Sequence, residues 1–218
     1  MVARDVARER GIDAQHVLAA YVAEASAFWK ALSVEHLSAG IIDTRAQMWL
    51  DALRVVGLDD EELAERCGID YGRYRSEVLV LSPGALELVV TLRERGCKVG
   101  IVTNGFAATH HDKVARLGLT QHIDGLFLAD EMGMVKPDPE VFRHACSVLG
   151  SDPERTAMVG DRYDRDVIGA HEAGLFTVLI DVHRIPLPVD KPRPHVIVET
   201  VADVLGVLPL APGEGPPG

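Results

Sequence analysis

The chain has 218 residues, 47% of them hydrophobic, and carries a formal net charge of −11. That length suffices for a full core plus a smaller second one, and the acidic balance argues against nucleic acid or an anionic membrane surface as the partner. No apolar run is long enough to span a bilayer and the N-terminal MVARDVARER has no signal core, while Cys67, Cys97 and Cys146 are odd in number and far apart; the expectation is a cytoplasmic protein with reduced thiols.

From residue 1 to about 78 the apolar residues recur at helical spacing. Val17, Leu18, Tyr21, Val22, Ala25, Phe28, Trp29 and Leu32 draw one stripe, and Trp49, Ala52, Leu53 and Val56 draw a second. Asp59 with Glu62 is an aspartate variant of the capping box, and Gly68 is expected to stop the helix it starts. This predicts a small helical bundle. Phe28, Trp29 and Trp49 either line a substrate pocket or are plain core.

The pattern changes near Leu79. Ser82 as N-cap, Pro83 in the first turn and Gly96 as C-cap bound a helix expected to turn Leu86, Val89 and Val90 inward. Apolar runs at Val99–Val102, Gly125–Leu128, Thr156–Val159, Thr177–Ile180 and Val196–Val198 then alternate with helical segments. That alternation predicts an α/β core with a parallel sheet covered on both faces. PLAPGEGPPG, residues 209–218, is too rich in Pro and Gly to pack, so the expected organisation is 1–78 helical, 79–208 α/β and 209–218 a disordered tail.

Ligands of open α/β sheets gather at the carboxyl ends of the strands, and polar clusters fall there. Thr103-Asn104-Gly105 follows KVGIV, offering a hydroxyl and turning backbone N–H groups as a phosphate cradle, although Asn-Gly is also an everyday turn. Lys136 stands in VKPDPEVF, where Pro137 and Pro139 stiffen the loop and open the next helix. TAMVGDRYDRD, Thr156 to Asp166, ends an apolar run in Gly160 and three carboxylates, Asp161, Asp164 and Asp166. Carboxylates clustered at a strand end suit Mg²⁺, which bridges them to a substrate phosphate; the bland alternative is a capped helix start. His110-His111 does not make a metal pair, because helical neighbours diverge.

In this order and spacing, the three clusters resemble motifs II, III and IV of the haloacid dehalogenase-like superfamily. The resemblance runs from about Ser82 to Leu208 and includes SPGALELVVTLRERGCKVGIVTNG and Leu117–Leu119, while the helical N-terminal part resembles the family's C1-type cap. It implies a Rossmann-like core, Mg²⁺, and hydrolysis of a small phosphorylated substrate through an aspartyl-phosphate. Carried over by position, Thr103 and Asn104 would contact the phosphoryl group, Lys136 would neutralise charge, Asp161 would bind Mg²⁺ and Asp166 would orient the metal site; Asp164 is left as a helix-start residue.

Motif I, the DxDx[TV] sequence that supplies the family's nucleophile from the first core strand, has no counterpart here. That strand lies mid-sheet, and without it its neighbours should stand about twice the 4.7 to 4.9 Å strand spacing apart, unable to share ladder bonds. Two readings follow: a phosphatase whose sequence as given starts late, with motif I upstream, or a pseudo-enzyme that binds a phosphate ligand or a protein without turnover. A haloacid dehalogenase is the enzymatic runner-up, disfavoured by the Gly160-Asp161 pair. A dinucleotide oxidoreductase lacks its GxGxxG.

Overall fold

The computed structural model describes residues 1–182, 184 and 186–209. The chain divides into two units, Met1–Leu79 and Val80–Gly218. The tail expected over 209–218 lies, beyond Pro209, outside the described residues.

The first unit is helical: α1 (Val2–Arg10), α2 (Ala14–Ala31), α3 (Val34–Ser38), α4 (Gly40–Val55) and α5 (Glu61–Glu77). Its core gathers Val6, Val17, Tyr21, Trp49, Leu53 and Leu63, all nearly or fully buried. Burying each large side chain there is worth about 1.5 to 3 kcal/mol. Trp49 stacks on Tyr21 with ring centroids 4.1 Å apart, so this tryptophan is core. Leu18 and Val22 are exposed, because α2 turns Val17, Ala20 and Tyr21 inward and residues one position on rotate away.

Two expectations about α5 are corrected. Asp60, not Asp59, caps it, its side chain accepting from Leu63 N–H at 2.9 Å, while Asp59 pairs with Arg54. Gly68 does not stop the helix but lies buried within it. A Cβ there would stand 3.1 Å from the Ala46 backbone nitrogen, so the glycine serves the close crossing of α4 and α5.

The second unit alternates helix and strand: α6 (Ala85–Glu94), β1 (Gly100–Thr103), α7 (Ala107–Arg116), β2 (Gly125–Leu128), α8 (Ala129–Met132), α9 (Pro139–Leu149), β3 (Ala157–Gly160), α10 (Ile168–Glu172), β4 (Phe176–Ile180) and β5 (Val196–Val198). Gly84, at positive φ, precedes α6 where Ser82 was expected as the cap, and Leu88 rather than Leu86 is its buried residue. Gly96 ends it with a positive φ, as the glycine's place after the stripe predicts.

All strand pairs are parallel, but the strands form two sheets, β1-β2 and β3-β4-β5. Among the described residues no strand precedes β1, and β1 and β3 share no ladder. The lack of shared ladder bonds expected without the first strand is therefore observed. Val141, Phe142 and Cys146 of α9, Ala170 of α10 and Leu175 before β4 cluster with Met158 of β3, while Leu88 and Val204 join Val178 and Val198 in a second cluster. Cys67 and Cys146 are buried and Cys97 is partly so, all three as free thiols. No described helix is long and apolar enough to cross a membrane.

Candidate active site at the strand ends

Lys136 is the centre of the site, 8% exposed on the loop before α9. Its ammonium donates to the Val102 carbonyl of β1 at 2.9 Å and to Asp166 Oδ1 at 2.6 Å, so one side chain ties the end of one sheet to the segment following the other. Its backbone is fixed as firmly. Asn104 Oδ1 accepts from Lys136 N–H at 2.7 Å, Asn104 Nδ2 donates to Lys136 O at 2.8 Å, and Arg165 donates to the same carbonyl at 2.7 Å.

The sequence explains this local order. The Lys136–Pro137 peptide is cis, Asp138 caps α9 by accepting from Glu140 N–H at 2.9 Å, and Pro139 opens the helix where no amide donor is needed. Gly169 of α10 lets the loop approach, since a Cβ there would fall on the Pro137 carbonyl.

Asp166 is 4% exposed and doubly engaged: Oδ1 takes the Lys136 ammonium and Oδ2 accepts from Arg162 N–H at 3.0 Å. It sits in a π-helical turn, Tyr163–Val167, that follows β3. Asp164 is half exposed and bound through both oxygens to Arg162 at 3.0 and 2.9 Å. Burial pushes its carboxyl up, but the guanidinium outweighs that and holds it below the usual range. Asp161, directly after Gly160, is exposed.

Thr103 ends β1 partly buried, with Oγ1 3.4 Å from His110 Nε2. Gly105 leaves room for that imidazole, as any Cβ there would overlap it. The neighbouring helix start is partly spoken for, because Asp130 accepts from Ala107 N–H at 3.0 and 2.8 Å. His111 pairs instead with Glu131 at 2.8 Å.

The structure thus joins Asn104 and Asp166 to Lys136 directly, and Thr103 follows the Val102 carbonyl that the Lys136 ammonium holds. Asn104 spends its side chain on the Lys136 backbone, which makes it a positioning residue. Arg165 and Asp138 were missed by sequence reasoning; Asp138, before Pro139, carried a legible N-cap signal.

As a test of Mg²⁺, the donor set fits in part. Mg²⁺ is content with one or two carboxylates and several waters. Asp161 is available as a direct ligand and Asp166 is committed to Lys136, but among the described residues no group of three or more His, Cys, Asp or Glu could hold a metal.

The second unit is thus a parallel α/β fold with a fixed lysine and carboxylates at its strand ends. The family model for haloacid dehalogenase-like hydrolases matches residues 2–174, and the chain belongs to that family. It is 36% identical over 129 residues to the glyceraldehyde 3-phosphate phosphatase of Methanopyrus kandleri, covering 59% of this chain and 55% of that protein. Over 172 residues it is 30% identical to the N-acylneuraminate-9-phosphatase of Mus musculus, covering 77% and 68%. The chain therefore spans about half to two thirds of the length of these relatives. Among solved structures, the HAD-hydrolase YfnB of Bacillus subtilis shares the fold with a TM-score of 0.76 at 21% identity, covering 95% of this chain and 90% of that one. A solved L-2-haloacid dehalogenase, RSc1362, shares it too, with a TM-score of 0.72 at 18% identity over 94% of this chain and 90% of that one, as does a solved dehalogenase with a TM-score of 0.71 at 23% identity over 95% and 89%.

Proposed function

We propose that this protein is a Mg²⁺-dependent phosphomonoester phosphatase acting on a small phosphorylated metabolite, with the N-terminal helical unit as its cap. The observation that carries the reading is the buried Lys136 ammonium, held at a strand end by Val102 O and Asp166 and backed by Asn104. A fixed cation of this kind neutralises a phosphoryl group at no reorganisation cost during reaction. Thr103 would donate its hydroxyl to a phosphoryl oxygen, Asp161 would ligate Mg²⁺, and Asp166 would keep Lys136 and the metal-side loop in place. Bound Mg²⁺ would supply charge stabilisation at the phosphoryl oxygens. The two relatives described above, at 36% and 30% identity, carry phosphatase names, which favours this reading over a dehalogenase, whose likeness is one of fold.

A second reading is favoured by one specific observation, the absence of a DxDx[TV] sequence. In it the chain binds a phosphate ligand without turning it over. One experiment separates the two: hydrolysis of an aryl phosphate by the 218-residue chain with and without Mg²⁺, beside Asp161→Asn, with calorimetric titration of inorganic phosphate into the same samples. Mg²⁺-dependent turnover lost in the variant supports the phosphatase. Phosphate binding by a folded chain without turnover supports the binding protein, and neither binding nor turnover overturns both.

A further inference from the structure

A second concentration of unspent positive charge lies in the first unit, where α2, α4 and α5 meet. Among the described residues the partly buried arginines are Arg45 and Arg165, and of these only Arg165 has a carboxylate partner. Arg45 has no ion pair in a chain of net charge −11. Its guanidinium lies 5.9 Å from the Tyr71 ring centroid, a cation–π contact that engages the face of the fork and leaves its edge N–H donors free for a planar anion. Arg75, one turn beyond Tyr71 on α5 and exposed, adds a second positive charge that repels the first. Together with burial it makes Arg45 easier to deprotonate than a solvated arginine.

The surroundings are shaped for that guanidinium. A Cβ at Gly72 would stand 2.5 Å from Arg45 Nη1, so the glycine makes room for the guanidinium. Trp49, one turn after Arg45 on α4, stacks on Tyr21, and the Tyr21 and Tyr71 ring centroids are 5.1 Å apart. Trp49 Nε1 is the one buried side-chain polar atom among the described residues with no hydrogen-bond partner. Two arginines that repel each other and have no carboxylate partner among the described residues are a cost to the fold that an anion removes.

We propose that Arg45 and Arg75 form a small-oxyanion site that takes the carboxylate or phosphate group of a small molecule, Arg45 gripping two oxygens through its planar fork and Arg75 closing from α5. Fork-to-oxyanion pairing is the geometry for which arginine is suited and lysine is not. The site belongs to the helical unit alone and does not depend on the phosphatase reading.

Trp49 serves as its reporter. With Trp29→Phe removing the other tryptophan, the emission of Trp49 is titrated with sodium acetate and, separately, inorganic phosphate, against sodium chloride at matched ionic strength. The expected result is a saturable change with at least one oxyanion and none with chloride. In the same background, Arg45→Gln should weaken binding about tenfold or more and Arg75→Gln by less, since charged hydrogen bonds of this kind are each worth about a decade. Gly72→Ala guards against misfolding: it puts a strong helix former into α5 while displacing the guanidinium, so binding should weaken with no fall in melting temperature. Emission that follows the chloride curve overturns the proposal, as does an unchanged midpoint in both Arg45→Gln and Gly72→Ala.

Discussion

The strands of the second unit are built from similar apolar runs, yet they are buried to different depths. In β4, flanked by β3 and β5, Thr177 and Val178 are fully buried and Leu179 is 2% exposed. Gly100 of β1 and Ala157 of β3, each strand paired on one side only, are exposed, and the three residues that follow each are only partly covered. The strand with ladder partners on both edges is thus the most uniformly buried, while β2, paired on one edge, still buries Phe127 and Leu128 beneath its helices. Between the two sheets the Lys136 side chain supplies a polar tie where a central strand would supply backbone bonds.

The largest expected effect comes from cutting that tie. Lys136→Met leaves Asp166 buried without its cation and should cost about 3 to 5 kcal/mol in urea unfolding, along with any phosphate binding by the core. Leu179→Ala should cost about 2 to 5 kcal/mol, and Ile101→Ala, in the half-covered β1, clearly less; equal costs would show that the contrast in burial carries no energy. Amide exchange sharpens the same point without mutation, β4 amides being expected to exchange more slowly than those on the open edges of β1 and β3.

Smaller effects test the local devices around the site. Asp138→Ala removes the α9 cap and should cost about 0.5 to 2 kcal/mol, measured by thermal unfolding. Asp124 joins β1 to β2 by accepting from Arg93 and from Val99 N–H, and these bonds hold its carboxyl below the usual range. Its folded pKa is thus depressed, so its contribution is present above the unfolded value near pH 4 and is lost as pH falls through the folded one. Asp124→Asn should flatten that acid limb slightly, the pair being partly exposed.

Much of this was legible beforehand for a definite reason. Gly125–Leu128 and Val196–Val198 lie where their apolar runs place them, and the other three strands are shifted by a single residue at one or both ends. Buried parallel strands need continuous apolar sequence, and turns need Gly, Asp or Pro, both of which are local demands. The order of Thr103, Lys136 and Asp161 was legible because strand ends can be counted along a chain.

What the sequence by itself determined is the alternation of elements, the family, and which residues stand at the carboxyl ends of the strands. The tertiary structure decided what those residues touch: that Asn104 grips the Lys136 backbone, that Asp166 rather than Asp161 takes its ammonium, that Gly68 lies within α5, and that Arg45 is left without a carboxylate. These are contacts between segments distant in sequence or between packed helices. Residue type and local periodicity carry no information about which distant neighbour arrives, and the close approach of two backbones is set only when the whole unit packs.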